Sequence, residues 1–140
     1  MRKENMVTIN DGGQEKKFKI KQMSASQGER FLFKIMLLLG ASTDTDKLTD
    51  ASGFFDAIAN QPYEKVQELL DILLSCVSRV HDGGIESQLT PENVDSFVED
   101  MSTLLKLRGE AFSINNFFQG SGLNALSGLG GDGIAIKRKG

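Results

Sequence analysis

The sequence predicts a mainly α domain, α+β by label: an N-terminal β-hairpin, about five helices and a flexible glycine-rich C-terminal tail. Three observations carry that reading. Phe18 and Ile20 alternate with Lys17, Lys19 and Lys21, the period of a half-buried strand. Val66, Leu69, Leu70, Leu73, Leu74, Val77 and Val80 recur at helical spacing. Seven of the last 21 residues are glycine, a composition with little apolar area to offset the entropy of ordering it. A chain of 140 residues suits one domain, with the body over residues 1–119 and the tail over 120–140.

The hairpin falls within residues 6–23. "MVTI" and "KFKIKQM" are its strands, and "NDGGQE" supplies the Asn, Asp and Gly that a reversal with positive φ needs. Two strands alone are marginal, so the hairpin is expected to lean on helices. "SASQGERFLFKIMLLLG" is the first helix. Ser24 with Gln27, and Ser26 with Glu29, match the capping-box spacing, and Gly40 is its stop. Its apolar stripe of Phe31, Leu32, Ile35, Met36 and Leu39 is widened by Phe33, Leu37 and Leu38. A helix apolar nearly all round is either central to a core or paired with another chain.

A polar, acidic loop follows, "ASTDTDKLTDASG", then a short helix around Phe54, Phe55, Ile58 and Ala59. Pro62 suits the first turn of a helix over 62–81, which "HDGG" ends. Thr90 as N-cap and Pro91 at the first helical position open another helix over 91–100. A last helix over 102–118 is out of phase with it, so a bend is expected near residues 100–102.

Charge is unevenly laid out. The net charge is +4 over residues 1–39, −9 over 40–119 and +2 over 120–140. So acidic a body disfavours nucleic acid, which demands a basic face. Lys16, Lys17, Lys19 and Lys21 read as the solvated face of a strand. The longest apolar run, residues 31–39, contains Lys34 and is far shorter than the about 20 residues of a membrane span. "MRKENMVTIN" has no apolar stretch behind its basic start, unlike a signal peptide. These features predict a soluble protein of the cytoplasm, bound to neither membrane nor nucleic acid.

Little in the chain suggests catalysis. Gly128, Gly130 and Gly133 fit G-x-G-x-x-G, but only seven residues follow, too few for the helix and strand that would hold a dinucleotide. Cys76 is the only cysteine and His81 the only histidine, which excludes an intramolecular disulfide and a zinc site of three or four such ligands. Five residues apart on a helix, they would not share a face. Asp44, Asp46 and Asp50 resemble the start of a calcium loop without its glycine or closing glutamate. Glu99 and Asp100 are charged neighbours on a surface. The expectation is a protein that is not an enzyme and that needs no cofactor and no metal.

Apolar surface is what remains. Phe54–Phe55 and Phe117–Phe118 are adjacent pairs, and consecutive helical residues lie about 100° apart, so one of each pair tends to face outward. Phe33, Leu37, Phe54 and Phe117 are the candidate partner-binding residues.

In its order of blocks, "YEKVQELLDILLSCVSRV" followed by "QLTPENVDSFVEDMSTLLKLRGEAF", the chain resembles the tail assembly chaperones of long-tailed bacteriophages. The likeness runs from "VTINDGG" through "NNFFQG" and is most specific over residues 88–100. It implies a protein of the host cell cytoplasm that coats the tape measure protein, helps tail tube subunits assemble and is absent from the virion. It also implies a short, non-frameshifted form whose longer product, made by ribosomal frameshifting, carries a second domain. The tail would then be linker and slippage region, and glycine and lysine codons suit slippery sites. The same apolar surface could instead close a homo-oligomer. The alternatives are a structural or connector protein of the virion, or a small helical regulatory module that binds protein.

Overall fold

The computed structural model describes residues 2–40 and 48–115. Its elements are β1 (Glu4–Asp11), β2 (Gln14–Lys21), α1 (Ala25–Leu39), α2 (Ala51–Ile58), α3 (Tyr63–Leu74), β3 (Val77–Val80), β4 (Glu86–Gln88), α4 (Val94–Phe97) and α5 (Met101–Asn115). The strands form one antiparallel sheet in the order β1-β2-β3-β4. Among the described residues, helices make up about 54% and strands about 21%, so the fold is α+β and not mainly α. The expected tail over 120–140, the residues Phe117 and Phe118, and Asp44 and Asp46 of the acidic loop lie outside the described residues.

The correction comes from residues 75–88, which the sequence reading took as the end of a helix and a loop. Val77 and Val80 keep the spacing of the helical stripe before them, so by periodicity alone the helix runs on to His81. The chain instead leaves α3 at Ser75, and β-branched Val77 enters the sheet fully buried. There β2 finds a partner on its second edge. Lys21 donates its N–H to the Cys76 carbonyl at 2.8 Å, and Ile20 lies opposite Val77. "HDGG" is the turn of this second hairpin, with Gly83 and Gly84 at positive φ. The first hairpin thus leans on a second one as well as on helices.

Expected local signals are realised at α1, where the Ser24 hydroxyl accepts from Gln27 N–H at 3.3 Å and the helix stops at Gly40. α2 starts earlier than the loop reading allowed, capped by Asp50, whose carboxylate accepts from Gly53 N–H at 2.8 Å. Thr90 and Asn93 exchange hydrogen bonds ahead of α4: Thr90 N–H donates to Asn93 Oδ1 at 2.8 Å, and Asn93 N–H to Thr90 Oγ1 at 3.2 Å. α4 is shorter than the helix expected over 91–100, and residues 98–100 are non-helical before α5 begins.

α5 lies across the inner face of the sheet, touching β1, β2 and β3, and packs against α2 and α3; α1 packs on α3. Enclosed this way, α5 buries Thr103, Leu107, Ala111, Phe112 and Ile114, positions that do not form one stripe. The core they meet includes Phe18, Ile20, Phe31, Phe54 and Leu73, all with no exposed surface.

Asp11 and Lys16 depart from their sequence readings. Only Gly12 and Gly13 make the first turn, both at positive φ (62° and 86°), as a two-residue hairpin loop requires. Asp11 is instead the last residue of β1, wholly buried on the inner face. Its carboxylate accepts from Lys16 Nζ at 2.7 Å and from the N–H groups of Glu99 and Asp100 at 2.8 Å each, with Thr103 as a further side-chain partner. Gly12 N–H in turn donates to Asp100 Oδ2 at 2.9 Å. Lys16 therefore leaves the solvated face assigned to it and points inward, while Lys19 and Lys21 stay outside and pair with Glu4 and Glu86.

Burial alone would raise the pKa of Asp11. Lys16 and the two backbone N–H groups outweigh it and hold the carboxyl well below the usual carboxylate range. A depressed folded-state value contributes stability that is complete above the unfolded value, about 3.9, and is lost as pH falls below it. Asp11→Ala is expected to cost about 3–5 kcal/mol at neutral pH, because Lys16 stays buried without its partner. Urea unfolding at neutral pH and on the acid side checks both points: the gap between wild type and variant should narrow on acidification. Equal midpoints at neutral pH would mean that the clasp adds nothing. Leu73→Ala should cost about 2–5 kcal/mol. Leu70 is only partly buried, so Leu70→Ala should cost less in the same assay.

A candidate partner-binding face on the first and third helices

α1 has two apolar sides with different fates. Phe31 and Ile35, one turn apart, are fully buried and hold the helix to the core. Phe33 lies about 200° round the helix from Phe31 and faces outward, followed one turn later by Leu37. Phe33 is 46% exposed and Leu37 83%. Single exposed apolar residues are ordinary on a protein surface; two at adjacent turns beside a leucine-lined hollow form a patch.

That hollow runs between α1 and α3. It is lined by Lys34, Leu37, Leu38, Lys65, Glu68 and Leu69 and holds about 190 Å³. Ligand pockets for small molecules span roughly 300–1,000 Å³, so this one suits an inserted side chain better than a metabolite. An ion pair between Lys34 Nζ and Glu68 at 3.1 Å bridges the two helices across it. Arg30 and Lys65 are exposed nearby, one on each helix. A helix laid along this face would meet apolar anchors flanked by charge, the geometry of helix-in-groove recognition.

The structure separates the four candidates. It brings Phe33 and Leu37 together on one exposed face. Phe54 lies at the centre of the core, stacked on Phe112 with ring centroids 4.5 Å apart and 6.1 Å from Phe31. Its neighbour Phe55 is the outward member of the pair, half-covered beside Gly109 of α5. Phe117 lies outside the described residues. The sequence reading missed Met101 and Leu105, 77% and 45% exposed and one turn apart on α5. Their spacing, four residues apart, was the available signal.

Cys76 and His81 do not form a nucleophilic pair. Cys76 is buried, and its loss of solvent pushes the thiol up to about 11, far from the reactive thiolate range. His81 Nε2 instead meets Ser87 Oγ at 2.9 Å, with its ring edge-on to Phe97. Among the described residues, no group of three or more His, Cys, Asp or Glu side chains could hold a metal ion. No helix of these residues is long and apolar enough to cross a membrane.

Comparison with curated proteins and with solved structures finds no match to the chain. A family model does match: that described as phage tail assembly chaperone protein, TAC, over residues 12–124. This span covers the first hairpin's turn, both hairpins' pairing strands β2 to β4 and every helix of the body. With most of its length matched, the chain belongs to the phage tail assembly chaperone family.

Proposed function

We propose that this chaperone acts in the host cell by shielding apolar helical segments of the tape measure protein until tail tube subunits assemble round it. The observation that carries the reading is the exposed pair Phe33 and Leu37 beside the leucine-lined hollow between α1 and α3. A reversible shield needs accessible apolar anchors on a body that folds without them, and these two residues are not needed to close the core. The acidic body, −9 over residues 40–119, helps keep such a complex soluble. Nothing in this role calls for catalysis or a cofactor. In the same reading the chain leaves before the virion is complete, and tail tube subunits are reached through a longer, frameshifted product.

Co-expression with the tape measure protein tests this. The tape measure protein should become soluble and co-elute with the chaperone in gel filtration. Apolar contacts should hold as salt rises, in contrast to phosphate-type binding. Phe33→Ser with Leu37→Ser should weaken the complex by at least about tenfold, since interface energy concentrates in a few anchors. The melting temperature of the free chaperone should stay nearly unchanged, because exposed substitutions cost about 0.5 kcal/mol or less. If no complex forms, the function is wrong; if the double variant binds normally, the face is wrong. Mass spectrometry of purified virions should find the tail tube protein and not this chain.

A further inference from the structure

Among the described residues, β1 is an open edge of the sheet. Its odd-numbered residues bond inward to β2. Gln22 N–H donates to the Lys3 carbonyl at 2.8 Å, and the two-residue turn makes Asp11 and Gln14 the closing pair. The N–H and C=O groups of Glu4, Met6, Thr8 and Asn10 therefore point away from β2. Among the described residues no strand pairs with that side. Natural edge strands are guarded by proline, by a bulge, by shortness or by a charge along the strand. β1 has none of these guards: its register is unbroken over 8 residues, and its charged residues, Glu4 and Asp11, stand only at its ends. Met6, Thr8 and Asn10 are all exposed.

We propose that two copies of this chain pair antiparallel through β1, about a two-fold axis at Val7. The register follows from the pattern of free groups. With Val7 opposite Val7, Met6 faces Thr8 and Glu4 faces Asn10, so every outward N–H and C=O finds a partner. Any shift of the axis along the strand leaves some of them unpaired. Charge agrees with this register. Glu4 faces the uncharged Asn10, so no like charges meet. Such pairing joins the two sheets edge to edge and closes as a dimer, since each copy uses its edge once. One strand buries less than the roughly 1,200 Å² at which stable interfaces begin, so association is weak and rises with concentration. This inference does not depend on the α1–α3 face or on the tape measure protein.

Sedimentation equilibrium of the full chain, from micromolar to millimolar concentration, should show monomer passing to dimer. Thr8→Pro removes an outward N–H and leaves the ladder to β2 intact; it should raise the dimer dissociation constant at least about tenfold. Met6→Lys, on the exposed face, places a charge at the edge and should act likewise; it carries the test if the proline variant fails to fold. Val7→Cys should form an intermolecular disulfide under mild oxidation, because on the axis it meets its own copy at about 4.5 Å between Cα atoms. Asn5→Cys, off the axis, should not. A chain that stays monomeric throughout overturns the proposal. So does a dimer that Met6→Lys leaves intact or that Val7→Cys cannot lock.

Discussion

The carboxylate of Asp11 joins the two ends of the described chain. It receives Lys16 from the neighbouring strand and the N–H groups of Glu99 and Asp100 from the approach to α5, while Asp100 returns a hydrogen bond to Gly12. A buried carboxylate is costly unless its oxygens are satisfied and its charge is matched, and both conditions hold here. Much else depends on this clasp. It fixes where α5 starts, and therefore which residues of α5 meet Phe18 and Ile20. It also fixes the register of the first hairpin: a slip by one residue would put Asp11 and Lys16 on opposite faces of the sheet.

From that anchor the molecule sorts its surfaces by chemistry. The inner face of the sheet is closed by α5, and the outer face is wet, with Lys19 of β2 held between Glu4 of β1 and Glu86 of β4. Exposed apolar pairs one turn apart lie on the helices, Phe33 and Leu37 on α1 and Met101 and Leu105 on α5, while Met6 is an exposed apolar residue of the sheet.

The sequence was legible where structure is local. The alternation around Phe18, the capping serine at Ser24 and the leucine spacing through Leu74 each specify their element within a few residues, and each element formed. It was misleading where two periods overlap. Val77 and Val80 satisfy the helical spacing of the segment before them, and only the need of β2 for a second partner, set by residues far away in sequence, draws them into the sheet. Asp11 was illegible for a similar reason. Asp before Gly-Gly is a turn composition, and its partners Glu99 and Asp100 lie 88 and 89 residues away in the chain. Among the candidate binding residues, helical spacing sufficed to turn Phe33 and Leu37 outward. It could not rank Phe54 against Phe55, because the choice between neighbours depends on where Phe112 lies.

The position of α5 also bears on how the protein is made. α5 is the last helix of the described body, yet it covers the sheet and supplies Leu107, Ala111, Phe112 and Ile114 to the core. During synthesis the preceding strands and helices leave the ribosome with Phe18, Ile20 and Phe54 still uncovered. Neither the core nor the Asp11 clasp can close until residues beyond 100 have emerged. Folding is therefore delayed until nearly the whole body has been translated, and until then the nascent chain carries its future core residues uncovered.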